Sequence, residues 1–339
     1  MSGTVQPRTT SEDFSGTPRR GRTGRVRLSG LPWLVWRQHR LTFVLLLAAG
    51  AATTAGVLWL AQDATSAVAA VEGPHPSLAK VAALDSVYQR LEPVGLALTC
   101  LPFVIGVFVG APLFAGDLET GTAKFVGVQS RSRWNWVTTK LLMAASFVIV
   151  VALSTGLAVK ALWSPLARHA AVNADFTTAG GFDTTGPVVV ALSLLGLLIG
   201  AASGLLLRRT LPAMVTTFIV LLAVKAVWGS VRMMFAPTLT KTTGGGRFGS
   251  EDFPQISASA LSIDHSYVTG DGSLVGWGSC VNAEDSPACL RDKGVVGWSV
   301  EYLPYSHMNA MQWAAAGALA ALIAVTVGVV AYAARRTMR

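Results

Sequence analysis

The chain has 339 residues, 52% hydrophobic and 13% charged, with a formal net charge of +9 at pH 7. Soluble domains carry about 25% charged residues and a single soluble core stops growing near ~250–300 residues, so the composition excludes an ordinary soluble domain and points to lipid as the solvent. The positive charge does not call for nucleic acid as a partner, because membrane proteins collect Lys and Arg on the cytoplasmic side and reach the same sum.

Residues 1–30 hold Ser, Thr, Gly, Arg and Pro with almost no large apolar side chain, and read as a disordered basic tail. Residues 31–40, LPWLVWRQHR, set Trp33 and Trp36 beside Arg37 and Arg40, which suits either a short interfacial elbow helix at the headgroup level or simple juxtamembrane anchoring. About 20 apolar residues cross the hydrocarbon as a helix, and six runs qualify: 41–61, 94–116, 141–159, 187–207, 211–229 and 312–334. Backbone groups in lipid must be satisfied within the segment, so these runs are expected as helices. The first run follows a polar tail and lacks a small-residue cleavage site, which argues against a cleaved signal peptide.

The run 94–116 contains Gly106 and Gly110 four residues apart, with Pro102 and Pro112 that would bend it; Cys100 within it reads as a small buried hydrophobe. Run 187–207 repeats the spacing at Gly196, Gly200 and Gly204. Glycines in this register form a groove that admits another helix, within the chain or from a second copy. Lys225 lies near one end of run 211–229 beside Trp228, where snorkelling to the interface accounts for it. The loop 62–93 includes a weakly helical stretch that extends the second span. The longest connection, 230–311, includes the glycine-rich TTGGGRFG and then polar-aromatic sequence. In that connection Cys280 and Cys289 can close a small loop or remain thiols; a bridge would contribute about 2–3 kcal/mol.

Charge sets the direction. With the N-terminus cytoplasmic, the inside segments hold 17 of the 27 Lys and Arg, while the outside loops, although longer, hold 9 and carry 14 of the 18 acids. Only that orientation obeys the positive-inside rule. The expected fold class is therefore all-α: a polytopic membrane protein of six transmembrane helices with both termini cytoplasmic. Helices one to five fall within 41–229 and helix six at 312–334, with a long outside loop 230–311 and a short tail 335–339.

The segment 117–140, DLETGTAKFVGVQSRSRWNWVTTK, joins the second and third spans on the inside. Its Arg131, Arg133, Trp134, Trp136 and Lys140 are the residue types that meet lipid headgroups, and a short helix joined rigidly to two spans acts as a lever. Enzyme motifs do not accompany it. There is no GxxxxGK[ST], HExxH or GxSxG, and no Cys/His spacing for zinc. The local SIDHS at 262–266 lacks the spatial convergence a triad needs.

An acid-x-acid-x-Gly-Thr turn after the second span, then Ser-Arg and a Lys opening the third, resembles the permease subunits of bacterial ABC-type exporters of the type-2 class. Asp117, Glu119, Gly121, Thr122, Ser132, Arg133 and Lys140 carry the likeness, and WRQHRLTFVLLL at 36–47 is similar to that family's elbow helix and first span. The final outside loop is longer than is usual there. The resemblance implies a multi-pass protein of the bacterial cell membrane that binds no nucleotide or other cofactor itself. It implies pairing with a second permease copy or a sibling. It also implies a separate ABC ATPase, which binds the ATP and docks on the loop 117–140, so that an apolar or amphipathic substrate moves outward. Asp117, Glu119, Gly121, Thr122, Arg131, Arg133 and Lys140 would be the ATPase-coupling residues. The alternative class is a polytopic scaffold or sensor whose 230–311 loop binds a ligand or partner; a membrane-embedded enzyme has no acid, histidine or serine cluster at an interface to support it.

Overall fold

The computed structural model describes residues 30–71, 77–121, 133–166, 176–177, 181–244, 253–257 and 259–337. In chain order it contains α1 (Leu31–Val71), α2 (Leu78–Thr99), α3 (Leu101–Val104), a π-helical turn (Ile105–Gly110), α4 (Ala111–Glu119), α5 (Arg133–Leu166), α6 (Gly181–Thr184), α7 (Gly186–Leu207) and α8 (Thr210–Val231). Then come β1 (Leu239–Gly244), β2 (Leu261–Thr269), β3 (Leu274–Gly276), α9 (Ser286–Asp292), β4 (Val295–Leu303) and α10 (Met308–Thr337). Among the described residues six helical stretches are long and apolar enough to cross a membrane: Leu31–Val71, Leu78–Glu119, Trp134–Leu166, Gly186–Leu207, Thr210–Phe235 and Tyr305–Thr337. Each contains one of the six apolar runs. Their outer faces carry Leu45, Trp59, Leu142, Leu157, Leu211, Ile219 and Val325 exposed, which is a stable arrangement only against hydrocarbon.

Two local expectations need correction. Residues 31–40 are not a separate element: they form the first turns of α1, a single helix of 41 residues. Val35 and Phe43 are fully buried, and Trp36 stacks on Phe43 with ring centroids 6.3 Å apart, so this stretch packs against the bundle. Cys100 is exposed rather than buried; it sits at the break between α2 and α3, where its side chain faces away from the helices. An apolar neighbourhood in sequence does not distinguish a core from a lipid-facing surface. The tail at 1–30 falls almost wholly outside the described residues.

The bundle is organised around α7. Its residues are buried except for its two ends and one stripe along Pro187, Val190, Ala191, Leu194 and Leu198. The glycines of the second and fourth spans meet there. A Cβ built on Gly106 would lie 2.7 Å from the carbonyl oxygen of Gly196, and one on Gly110 or Gly204 2.5 Å from the carbonyl oxygens of Leu197 and Ala111. Gly196 and Gly200 are tighter still, against the carbonyl oxygens of Pro102 and Gly106. Backbone meets backbone along this seam, which side chains of any size would hold apart. The π-helical turn lies within it: the N–H of Ala111 donates to Gly106 O, five residues back. Pro112 has no N–H for the carbonyl of Phe108, and a wider turn steps the helix over that gap.

Two ends of the bundle can be distinguished. One, the terminal end, gathers the start of α1, the end of α4, the start of α5, the α7–α8 junction and the end of α10, where Thr337 Oγ1 donates to Leu205 O at 3.1 Å. The other, the sheet end, carries the region between α8 and α10. There the expectation of an all-α chain is wrong. Four antiparallel strands form a sheet in the order β1-β4-β2-β3. Register is set by pairs such as Thr242 with Ser299 and Tyr267 with Trp298, with an irregularity between Ser262 and Asp264. On the sheet, Tyr267, Cys280, Leu290, Val295 and Trp298 form a small core, and a Cys280–Cys289 disulfide ties a short 3-10 turn to α9 above it. The molecule is thus mostly helical, with one sheet between its fifth and sixth candidate spans.

Candidate functional site

The turn after α4 is built from its acids outward. Asp117 and Glu119 lie two residues apart on the last turn, so their carboxylates leave the helix in different directions. Asp117 forms an ion pair with Lys140, whose side chain is 0% exposed. The Lys140 ammonium also donates to Leu113 O at 3.0 Å, lies 2.9 Å from His39 Nε2, and sits 4.8 Å from the centroid of the Trp136 ring. An ammonium can be buried only if it is paired and its remaining protons are satisfied; here a carboxylate, a carbonyl, an imidazole and a ring face do so. Lys140 and Trp136 are therefore inside the bundle end, not at a headgroup surface. Trp134, at 43% exposed, remains outward.

Glu119 reaches the other way. Its Oε2 accepts from Thr210 N at 2.9 Å and from Thr210 Oγ1 at 2.8 Å. Those groups open α8, so Glu119 satisfies an orphan donor of that helix in place of a local cap. Thr120 ends α4, with its N–H and hydroxyl both on Gly116 O, and Gly121 follows at φ +73°, a left-handed position that favours glycine. Through these two acids α4 is fastened to α5 and α8, and through Lys140 and His39 to α1 as well. Thr122 and Arg131 lie outside the described residues, and Arg133 is described only as the first residue of α5.

His39, Leu113 O and Thr210 belong to this assembly but were not singled out in the sequence. Thr210 stands 91 residues from Glu119, and no local pattern links them. The sheet end holds a second cluster that was missed. Asp183, in α6, is 3% exposed. It pairs with Lys225 and with Arg232 at 3.0 Å, and accepts from Trp228 Nε1 at 2.8 Å. Lys225 is thus an ion-pair partner, not a snorkelling lysine. Beside it Gly186, at φ +60°, leaves room for Gln312, whose Nε2 donates to Thr185 Oγ1 at 2.8 Å.

Other chemistry is confined. Among the described residues no group of three or more His, Cys, Asp or Glu could hold a metal ion. In SIDHS, Ser262 Oγ lies 2.7 Å from His265 Nε2, whereas Asp264 takes the hydroxyl of Ser266, so serine, histidine and aspartate do not form a relay. Asp271, in the β2–β3 turn, accepts from the Thr269 hydroxyl and from Ser273 N, which lowers its carboxyl to about 2. Between α5, α7 and α10 a groove of about 840 Å³ opens at the uncovered stripe of α7.

Residues 33–232 match the family described as ABC-2 membrane transporter related. No curated protein and no solved structure matches the chain. The match covers more than half of the sequence and takes in the first five candidate spans, the glycine seam and the Asp117–Glu119 turn. The chain therefore belongs to the ABC-2 membrane transporter related family, as a multi-pass, permease-type component of membrane transport.

Proposed function

We propose that the chain is the membrane-spanning subunit of an ATP-driven exporter of the bacterial cell membrane, with both termini cytoplasmic. A separate ABC ATPase, which binds the nucleotide, docks on the loop 117–140, and two permease chains pair, either two copies or a copy and a sibling. The observation that carries this reading is the pair of fastenings at the end of α4. Asp117 holds Lys140 and Glu119 holds Thr210, so displacement of the loop is delivered to α4, α5 and α8 together. Thr122, Arg131 and Arg133 supply the polar and basic contacts of the docking segment. The cargo is apolar or amphipathic and moves outward, driven by closure of the ATPase pair.

The test is co-expression with a candidate cognate ABC ATPase and purification in detergent. Scrambling residues 122–132 leaves Asp117, Glu119 and Lys140 in place, so the bundle is expected to survive while ATPase recovery falls sharply. Equal recovery with the scrambled segment would end the docking proposal. Labelling of Ser130→Cys, in a Cys100→Ala background, by a membrane-impermeant thiol reagent in intact cells would end the orientation.

A further inference from the structure

The most buried helix of the bundle has one uncovered stripe, and that stripe lines the groove between α5, α7 and α10. Its floor is apolar: Leu153 and Leu157 from α5, Val190 and Leu194 from α7, and Ile323 from α10. Its sheet-end mouth is polar and aromatic, with Lys160, Trp163, Tyr305, Ser306 and Asn309. From Asn309 to Ile323 the helix advances about 20 Å, so the groove runs from a belt of Trp and Tyr, the residues that favour the membrane interface, well into the hydrocarbon. Its volume falls in the ~300–1,000 Å³ range of ligand sites.

Two features of the mouth point to an anionic head. Lys160 is exposed, no described acidic side chain lines the groove, and no described acid pairs with it. The Nε1 of Trp163, a residue 4% exposed, is buried without a hydrogen-bond partner among the described residues. A buried donor of that kind costs free energy until an acceptor arrives. A second copy of the chain is a poorer occupant: a two-fold contact centred on the groove lays the groove against itself, and its described lining offers Lys160 no carboxylate.

We propose that this groove binds one anionic phospholipid, its phosphate at Lys160 and Trp163 and an acyl chain along Leu157, Val190, Leu194 and Ile323. The site goes beyond the transport proposal and does not depend on it.

The full-length protein is reconstituted in phosphatidylcholine vesicles. These contain a minor fraction of either phosphatidylglycerol or phosphatidylcholine with brominated acyl chains, and quenching of tryptophan fluorescence is read. Wild type is expected to favour the brominated phosphatidylglycerol about fivefold, the effect of one lysine at an anionic headgroup. Lys160→Gln removes the preference and Lys160→Arg keeps it, while Ala191→Phe, which fills the groove floor, lowers quenching by both lipids. Equal quenching by the two lipids in wild type would overturn the proposal, as would an unchanged preference in Lys160→Gln. Trp313 also lines the groove and is exposed, so cross-linking between chains through Trp313→Cys, in a Cys100→Ala background, would assign the groove to a second copy and overturn it too.

Discussion

Each end of the bundle holds a lysine–aspartate pair, and the two are built in opposite ways. At the terminal end the cation is the enclosed partner: Lys140 is 0% exposed and Asp117 is 15% exposed. At the sheet end the anion is enclosed: Asp183 is 2% exposed by side chain, whereas Lys225 and Arg232 keep 31% and 23% of their surface. The enclosed ammonium of the first pair meets one carboxylate and is completed by neutral groups. The second sets two cations and an indole N–H around one carboxylate, so some positive charge is left for solvent or headgroups to balance. An enclosed ammonium with a single carboxylate ties two helices with little tolerance for loss of either member, whereas a shared carboxylate is a clamp whose arms can be lost singly.

The largest effect expected from this contrast is at Asp117. Asp117→Ala strands a fully enclosed ammonium, and breaking such a pair costs about 3–5 kcal/mol; the midpoint of thermal unfolding in detergent micelles is expected to collapse. Adding Lys140→Met in the same chain is expected to restore most of it, because the charge that lost its partner is then gone. No recovery in the double variant would refute the account of Lys140 given above.

A smaller loss is expected at the other end. Asp183→Asn retains one oxygen for the Trp228 indole, and Lys225 and Arg232 can turn to water, so the cost is about 1–3 kcal/mol. The same midpoint measures it. A loss equal to that of Asp117→Ala would erase the distinction between the two ends.

The smallest effects lie outside both pairs. Glu119→Gln keeps an acceptor for Thr210 but removes the charge at the start of α8, and a slight drop in unfolding midpoint is expected, smaller than either loss above. Asp271 gives the pH dependence of the sheet. Its carboxyl is lowered from 3.8 to about 2 by the Thr269 hydroxyl and Ser273. Its contribution to the β2–β3 turn is therefore complete above about 4 and lost as pH falls through about 2. Hydrogen exchange at Ser273 is expected to stay constant from neutral pH down to that window, after the intrinsic pH correction, and to lose protection within it.

The legibility of these regions in the sequence was uneven for physical reasons. A helix in lipid announces itself by length and apolarity alone, so all six runs reappear within helices. The glycines could be read because close helix approach needs a small residue every fourth position, but which faces they would meet could not. The sheet was hidden because β2 and β4 do not alternate cleanly: β4 buries Gly297, Trp298, Ser299 and Val300 in succession, packed from both sides. Lys140 and Lys225 were misplaced for a common reason. Their partners stand 23 and 42 residues away, and a charge near an apolar run reads as interfacial until its counter-charge is located in space.

The π-helical turn at Ile105–Gly110 has one consequence for the length of the chain itself. A wide turn contains a residue more than an ordinary α-helix needs, and each residue carries about 100° of rotation. Deleting one residue between Ala111 and Gly116 would turn Gly106 and Gly110 out of phase with Asp117 and Glu119, so that the seam and the acidic turn could no longer be satisfied together. Removing Val107 or Phe108 instead collapses the wide turn into a regular one and leaves both ends in step. A scan of single deletions along 105–116 should therefore show one island of tolerance, at the turn.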